Sequence, residues 1–338
     1  MNKKFFFAVL LIVLSLILIE ISLRMFIVYG YNVGLVSYSV FASVMNSLKG
    51  YGTNILGEHN KLLYKYLPNV SFKIIKTKDH EYKIKTTDIG FGNIGFVDDG
   101  ISGDVFAVAV GDSFTACIGV DYNFCWVELL EKYLGCDIVN MGVEGYSSAQ
   151  KIMLVEDYAL KLKPKVILLD INLTDPSDDF FFANKMKRPI PHPINRFYEK
   201  GIQYYSASYL ALRFLWDNLN GYTYERKFKD YVSKYKDGVS YTIASLEKAI
   251  DVCNRAGVRL ILVLFHSIKP IVEFAYSREM KMINLQNYFE SRKFENIYLP
   301  NDGHLNINGN IAAFEIIKDF IVQNELEKLC LRKRLNEN

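Results

Sequence analysis

The stretch Val105-Phe106-Ala107-Val108-Ala109-Val110-Gly111-Asp112-Ser113 decides how the rest of the chain is interpreted. Its six apolar residues predict a strand that is buried on both faces, and Gly111 and Asp112 turn the chain sharply where that strand ends. A helix is predicted over residues 121–133, so free backbone N–H groups and a helix dipole would favour negative charge near Ser113. This position suits a nucleophilic hydroxyl group.

Downstream of this stretch, short strand-like segments alternate with helix-like segments. Strands are predicted at residues 105–110, 137–140, 165–171, 258–264 and 296–299, and helices at residues 126–134, 148–162 and 241–256. The alternation predicts an α/β fold, namely a three-layer α/β/α sandwich of the flavodoxin-like type around a five-stranded parallel sheet. In such folds ligands bind beyond the carboxyl ends of the strands.

Composition excludes several classes of protein. The chain has 338 residues, half of them hydrophobic, which is enough to bury a large core. The formal net charge is only +3, and no basic run interleaved with aromatic residues occurs, so nucleic acid is not an expected partner. No metal-ligand spacing and no dinucleotide fingerprint occurs, so neither a metal nor a cofactor is expected. Five scattered cysteines indicate no disulfide framework and leave the redox compartment open.

The N-terminal residues 1–31 are predicted to be a membrane anchor. The apolar run from Phe5 to Leu23 is just long enough to cross the hydrocarbon core if Glu20 lies near the far interface. A cleaved signal peptide is one alternative, although no small-x-small cleavage site follows. A buried helix is another, although apolar residues occupy every face. Lys3 and Lys4 favour an internal N terminus, which gives a single-pass protein with its bulk outside the cytoplasm.

Three further segments follow the anchor. Residues 32–103 are expected to form a small β-rich lead-in, residues 104–327 the main domain, and residues 328–338 a basic tail. Within the main domain, residues 176–238 are too long for an ordinary connection and are predicted to be an aromatic-rich insertion, whose aromatic residues we expect to pack locally rather than contact a ligand. Residues 311–327 predict an amphipathic closing helix.

Polar residues follow four of the predicted strands. They are Ser113, the run from Asn140 to Ser147, the run from Asn172 to Asp175, and the run from Asn301 to Asn306. Parallel strands bring these segments to the same edge of the sheet. A hydroxyl nucleophile needs a base, an acid that orients the base, and hydrogen-bond donors for the oxyanion, and all three residue types occur here.

These residues resemble the four sequence blocks of the SGNH/GDSL hydrolase family, over about residues 104–320. Residues 111–114 are similar to the first block, which implies that Ser113 is the nucleophile and that its backbone N–H also donates to the oxyanion. Gly145 resembles the second-block glycine, a further backbone donor. Asp302 and His304 resemble the last block, which implies that His304 is the general base and that Asp302 fixes its tautomer.

The third block departs from the family pattern. Where the family has Gly-x-Asn-Asp, this chain has Asn172-Leu173-Thr174-Asp175, so Thr174 stands in the place of the donating asparagine. The Thr174 hydroxyl and the Asn172 amide are the alternative third donors. Asp302 also lies two residues before His304 rather than the more usual three, a spacing that resembles acetyltransferase branches of the superfamily.

His266, which follows the fourth predicted strand, is the alternative base, but no acid is adjacent to it. The resemblance and the predicted topology together imply a membrane-anchored serine esterase, acting through an acyl-enzyme on an ester such as an O-acetyl group of a cell-surface carbohydrate. An O-acyltransferase with the same triad is one alternative. A catalytically weak module that binds glycan or a partner protein is the other.

Overall fold

The computed structural model describes residues 3–32, 55–77, 80–187, 224–299 and 303–331. The chain divides into two units. One contains the N-terminal helix α1 (Lys3–Asn32), and the other contains the large sheet with its covering helices.

Helix α1 is long and apolar enough to cross a membrane. Its segment Leu10–Ile27 has a mean hydropathy of 2.5. The two charged residues in this segment, Glu20 and Arg24, lie one turn apart and form an ion pair of 2.8 Å. Length and composition suit a membrane anchor and a signal sequence alike.

Two small two-stranded sheets precede the large sheet. Strands β1 (Leu56–His59) and β2 (Leu63–Tyr66) form a hairpin in which Leu56 pairs with Tyr66. Strands β3 (Val70–Thr77) and β4 (His80–Thr86) form the second pair. The described part of the lead-in thus contains four strands, and the assignment of residues 32–103 to one β-rich segment stays a prediction.

Five parallel strands form the large sheet. They are β5 (Ala107–Gly111), β6 (Ile138–Gly142), β7 (Val166–Ile171), β8 (Arg259–Leu264) and β9 (Lys281–Asn284). Their order is β6-β5-β7-β8-β9, so the first strand of the sheet in sequence lies second in space. This 2-1-3-4-5 order is that of flavodoxin-like folds.

Helices cover both faces of the sheet. They are α2 (Trp126–Leu134), α3 (Ser148–Asp157), α4 (Asp175–Lys187), α5 (Tyr224–Ala256), α6 (Lys269–Ser277), α7 (Leu285–Ser291), α8 (Ile307–Gln323) and α9 (Lys328–Leu331). Because side chains of a strand alternate between faces, Val108 and Val110 belong to a core cluster with α3, α5 and α6. Ala107 and Ala109 belong to the other cluster, with α2, α7 and α8. The predicted three-layer α/β/α sandwich is confirmed.

The prediction of the fifth strand is wrong. The edge strand is β9, whereas in the predicted segment 296–299 Tyr298 makes only an isolated bridge with Leu305. Ile297 and Leu299 are both buried, and this alternation imitates a strand. Strand β9 has only four residues, too few to show a period of two.

The prediction that a helix begins close to Ser113 also needs correction. Only short turns follow, closed by hydrogen bonds of 2.8 Å from the Ala116 N–H to the Asp112 carbonyl and 3.0 Å from the Ile118 N–H to the Ser113 carbonyl. Cys117 and Gly119 then take positive φ values of 53° and 103°, which a helix cannot contain, and α2 starts only at Trp126. A full helix dipole therefore does not point at Ser113.

Other helix boundaries differ from those expected. Helix α3 ends at Asp157 and is followed by a 3-10 turn, Ala159–Leu162, so the predicted helix over 148–162 is two elements. Helix α5 is longer than expected and takes up the end of the predicted insertion, whose residues 188–223 lie outside the described residues. The closing helix α8 begins at Ile307, where the Asn306 side chain accepts a hydrogen bond from the Gly309 N–H.

Four of the five cysteines form disulfides, which the sequence interpretation does not expect. Cys117 is bonded to Cys125, with 5.4 Å between their Cα atoms, and Cys136 to Cys330, with 6.3 Å. Cys253 is free and buried. The second disulfide joins residues 194 positions apart, a pairing that no local spacing reveals.

Candidate active site

Ser113 and His304 lie side by side at the carboxyl edge of the sheet. The distance from Ser113 Oγ to His304 Nε2 is 2.9 Å, although 191 positions separate the two residues. This is hydrogen-bond distance for a hydroxyl nucleophile and its base. The ring of Phe114 packs beside the His304 ring, with 5.6 Å between centroids. The two residues predicted to be nucleophile and base are therefore brought together by folding.

The turn that carries His304 is fastened to the segment before it. The Leu299 N–H donates to the His304 carbonyl at 2.7 Å, and the Asn306 N–H donates to the Ile297 carbonyl at 2.9 Å. Gly303 has a φ of +80°, a conformation that glycine adopts without strain. Asp302 lies outside the described residues, so its role as the orienting acid stays a prediction.

The alternative base, His266, does not hydrogen-bond to Ser113. Its ring lies against Phe114, with 5.4 Å between centroids, and its Nδ1 atom is buried with no hydrogen-bond partner among the described residues. Burial lowers its pKa. His266 lines a cavity of about 450 Å³ together with Glu290 and Tyr298. Of the two candidate bases, only His304 contacts the serine hydroxyl.

Two backbone N–H groups are available at this edge. Within the part of the chain that the structure describes, neither the Ser113 N–H nor the Gly145 N–H donates a hydrogen bond. Gly145 follows β6, which neighbours β5, and the Val143 N–H donates to the Gly111 carbonyl at 3.0 Å, which ties the two loops together. Unpaired N–H groups at such a place are the donors that an oxyanion requires.

The two alternative third donors differ in their surroundings. Asn172 is buried, and its side-chain amide hydrogen-bonds to Asp112. Thr174 is exposed, and its backbone N–H and Oγ1 lie 2.7 and 2.9 Å from Asn172 Oδ1. Because the Asn172 amide is held inside the protein, the Thr174 hydroxyl is the group with access to a ligand.

A buried cluster of charges supports the serine turn, and sequence reasoning missed most of it. The ammonium group of Lys151, on α3, contacts Asp112 at 3.0 Å, Asp170 at 2.9 Å and Asp175 at 2.8 Å. Lys151 and the three carboxylates are at most 2% exposed. Burial raises the pKa of Asp170 and of Asp175 to about 6 in each case. Burial would lower the pKa of Lys151, but the three carboxylates outweigh it and raise that pKa well above its usual value.

This charge cluster holds the residues around the nucleophile. Asp112 Oδ1 accepts a hydrogen bond of 3.0 Å from the Phe114 N–H, so Asp112 binds the backbone of the serine turn. The Thr115 hydroxyl donates to Asp170. In the sequence, Asp170 is the residue that could have indicated this charge cluster. It lies inside the apolar strand 166–171, and a carboxylate buried there requires a partner.

Among the residues that the structure describes, two groups of three carboxylates lie close enough to share a metal ion. The first is Asp112, Asp170 and Asp175, which already surround the Lys151 ammonium. The second is Asp99, Glu128 and Glu131, in which Asp99 is exposed and Glu128 pairs with Lys132 at 2.8 Å. The first group already surrounds a cation, and the second includes the exposed Asp99; since exposed acidic groups are common without an ion, we assign no metal to either group.

The fold and the site define a class: a flavodoxin-like α/β protein with a serine–histidine pair at the carboxyl edge of its parallel sheet. No protein-family model and no curated protein matches the chain. Similar solved structures include a GDSL-like lipase from Bacteroides thetaiotaomicron, 11% identical, which covers 65% of this chain and 89% of that one with a TM-score of 0.39. A lipase/acylhydrolase from Enterococcus faecalis is 13% identical, with 64% and 95% covered and a TM-score of 0.39.

The psychrotrophic esterase EstA from Pseudoalteromonas sp. is also similar, with 12% identity, 65% and 98% of the two chains covered, and a TM-score of 0.39. These proteins are lipases, esterases and acylhydrolases, the class that the four sequence blocks resemble. At this level of identity and TM-score the likeness carries no conclusion about activity.

Proposed function

We propose that this protein is a serine esterase that works through an acyl-enzyme on Ser113. The observation that carries the proposal is the 2.9 Å contact between Ser113 Oγ and His304 Nε2. As Oγ attacks the carbonyl carbon of the ester, His304 takes the hydroxyl proton. The protonated His304 then gives that proton to the leaving alcohol, and the bond between the acyl carbon and the alcohol oxygen breaks.

The oxyanion of each tetrahedral intermediate is stabilised by the N–H groups of Ser113 and Gly145. The Thr174 hydroxyl is the third donor in this proposal, and it reaches the oxyanion by rotating away from Asn172 Oδ1 and from the Asp178 side chain, which also hydrogen-bonds to Thr174. Asp302 holds the Nδ1–H tautomer of His304, so that Nε2 faces the serine. In the second half of the reaction, His304 takes a proton from a water molecule, whose oxygen attacks the acyl carbon. His304 then returns that proton to Ser113 Oγ as the bond between Oγ and the acyl carbon breaks.

The substrate class that we propose is an acetyl ester on a cell-surface carbohydrate, and its support is the resemblance of the sequence blocks together with the expected topology. A sugar hydroxyl in place of water would resolve the same acyl-enzyme by transfer, so an O-acyltransferase uses the same residues. A binding module without catalysis needs no contact between Ser113 and His304, and the presence of that contact favours an enzyme.

We further propose that the domain lies outside the cytoplasm, anchored by α1. The apolar segment Leu10–Ile27 supports an anchor. The two disulfides support an oxidising compartment, because disulfides rarely persist in a reducing cytosol. The same two features fit a cleaved signal sequence, and N-terminal sequencing of the mature chain separates the alternatives.

The test uses the full chain in detergent and a chromogenic acetyl ester. We expect Ser113→Ala and His304→Ala each to lower kcat by about 10⁴-fold or more, because nucleophile and base act as a unit. His266→Ala is the matched control and should retain activity. Covalent labelling by a serine-reactive phosphonate should disappear in Ser113→Ala. Full turnover by His304→Ala, or no labelling of the wild-type protein, would overturn the proposal, and a sugar acceptor that speeds release of the alcohol identifies transfer.

A further inference from the structure

The peptide that joins Glu144 to Gly145 carries one of the proposed oxyanion donors, and a tyrosine from the lead-in contacts it. The Tyr64 hydroxyl, on strand β2, donates to the Glu144 carbonyl oxygen at 2.8 Å. Tyr64 lies 80 positions before Glu144 and belongs to the hairpin of β1 and β2, outside the segment that resembles the hydrolase family. The hairpin thus reaches the candidate active site.

The direction of this hydrogen bond determines where the Gly145 N–H points. In a trans peptide the carbonyl of one residue and the N–H of the next lie in one plane and point in opposite directions. Because the Glu144 carbonyl is directed at Tyr64, the Gly145 N–H is directed away from Tyr64. A rotation of this peptide by half a turn would present a carbonyl oxygen where a donor is needed, and carbonyl oxygen repels an oxyanion.

Gly145 itself does not favour one peptide orientation over the other. Its φ is +73°, in the left-handed region, and a residue without a Cβ atom adopts both signs of φ at similar cost. A Cβ atom added to Gly145 would lie 3.0 Å from the Tyr64 hydroxyl oxygen, which is tighter than ordinary contact. The absence of a side chain on Gly145 leaves space for the Tyr64 hydroxyl. Because Gly145 allows either orientation of the Glu144–Gly145 peptide, a neighbouring group has to set it.

The hairpin is well placed to set that orientation. The Tyr66 hydroxyl accepts a hydrogen bond of 3.3 Å from the Glu144 N–H, and the Tyr146 hydroxyl donates to the Tyr64 carbonyl. The rings of Tyr64 and Tyr146 pack edge to face, with 5.2 Å between centroids. Burial raises the pKa of Tyr64, so its hydroxyl keeps the proton that it donates. Both polar groups of the Glu144 backbone are thereby bound to the hairpin, while the Gly145 N–H stays unpaired among the described residues.

We propose that Tyr64 is a positioning residue for the oxyanion hole: its hydroxyl holds the Glu144–Gly145 peptide in the orientation that directs the Gly145 N–H at the reacting ester. The inference rests on the proposed esterase function. It assigns to the lead-in hairpin a part in catalysis that neither composition nor the sequence blocks indicate. Tyr64 acts through Gly145 and does not touch the substrate.

The experiment compares Tyr64→Phe with two other tyrosine-to-phenylalanine variants of the full chain. Removing an oxyanion donor outright costs about 10²–10³ in kcat. Because a peptide that has lost Tyr64 still visits the productive orientation, we expect Tyr64→Phe to lower kcat by about tenfold to a hundredfold, with KM changed less than about twofold. Labelling by a serine-reactive phosphonate should slow by a similar factor, because its oxygen occupies the same hole.

Tyr146→Phe and Tyr158→Phe are the matched controls. Tyr146→Phe removes a hydrogen bond between loop and hairpin without touching the Glu144 carbonyl, and Tyr158→Phe removes the contact of 3.3 Å with His59 Nε2 of the same hairpin. We expect both control variants to keep the wild-type kcat, with no effect beyond a lower melting temperature. A loss of kcat in Tyr146→Phe equal to that in Tyr64→Phe would indicate general loosening and would overturn the inference.

Gly145→Ala tests the same peptide from its other end, because the added Cβ atom would lie 3.0 Å from the Tyr64 hydroxyl oxygen and a φ of +73° disfavours any side chain. This variant serves if Tyr64→Phe fails to fold. It should lower kcat, and the double variant with Tyr64→Phe should lose much less than the product of the two single losses, because both act on one N–H group. If the wild type is active and either Gly145→Ala or Tyr64→Phe keeps its kcat, the inference about Tyr64 is overturned and the esterase proposal stands. If the wild type and Ser113→Ala are equally inactive, the esterase proposal fails, and the inference fails with it.

Discussion

Replacing Lys151 with methionine would leave three buried carboxylates facing one another without their cation. The methionine side chain has a similar length and fills the same space, so the change removes charge and little volume. In the wild-type protein the ammonium group lies 2.8–3.0 Å from carboxylate oxygens of Asp112, Asp170 and Asp175. It also donates to the Asp170 carbonyl at 3.2 Å.

The expected loss follows from burial. Removing one partner of a buried ion pair costs about 3–5 kcal/mol, since the remaining charge is left without compensation. Lys151→Met leaves three carboxylates without compensation. We therefore expect it to lower the free energy of unfolding by about 5 kcal/mol at pH 8, the upper end of that range. In a domain of this size, each kcal/mol of lost stability lowers the melting temperature by about 2–4 °C. The expected fall in melting temperature is therefore about 10–20 °C.

The loss should depend on pH, and its sign follows from the raised pKa values. Asp170 and Asp175 have a pKa of about 6 in the folded protein, above the value of about 3.9 of an unfolded aspartate. The folded state therefore binds more protons, and stability falls as pH rises from about 4 through about 6. Without Lys151 both pKa values rise further, so the variant should lose less stability at pH 5 than at pH 8.

Thermal unfolding of the full chain in detergent, followed by circular dichroism at pH 5 and pH 8, measures this loss. Lys248→Met is the matched control, because Lys248 pairs with Glu156 of the same helix α3 but is 52% exposed. Surface pairs contribute about 0–1 kcal/mol, so the control should unfold near the wild-type temperature at both pH values. A variant Lys151→Met as stable as the control at pH 8 would refute the reasoning from buried charge.

Three further predictions concern the third donor, the long-range disulfide and the N-terminal helix. Thr174→Ala should lower kcat on the chromogenic ester by about a hundredfold with KM nearly unchanged, whereas Thr174→Asn should keep or raise it; equal rates for wild type and Thr174→Ala would exclude the hydroxyl as a donor. Cys330→Ser, which opens a loop of 194 positions to Cys136, should lower the melting temperature by about 5–15 °C, and identical melting of wild type and variant would contradict a stabilising bond. Removal of residues 1–32 should move the protein from the membrane fraction to the soluble fraction of the producing cells, and a wild-type chain found in the soluble fraction without detergent would argue against the anchor.

Much of the fold could be predicted because its signals are local. The apolar run around Val108 and the alternation of strand-like with helix-like segments indicate buried parallel strands, and the rule that ligands bind at the carboxyl ends directs attention to Ser113. His304 follows a segment that forms no strand, so the resemblance of its sequence block is the signal that indicates it. The blocks around these residues stand in the order in which the resembled family has them. In the folded protein, Ser113 Oγ and His304 Nε2 of the first and last blocks lie 2.9 Å apart.

The misassigned elements share one physical cause, which is that short segments carry too little periodicity. Strand β9, with four residues, shows no pattern, whereas the buried Ile297 and Leu299 imitate a strand that does not form. The turn after Ser113 looks like the approach to a helix until Cys117 and Gly119 adopt positive φ values. Disulfide pairing is likewise invisible in the sequence, because Cys136 finds its partner 194 positions away.

The amino-acid sequence by itself determined the layered α/β architecture, the order of the chemical blocks and the serine and histidine worth testing, because periodicity and spacing are properties of neighbouring residues. Only the tertiary structure decided that Lys151 joins three aspartates from separate elements, and that Tyr64 faces a peptide 80 positions away. These contacts arise because a buried charge or peptide group must find a partner wherever packing brings one. No local pattern in the chain records which partner that will be.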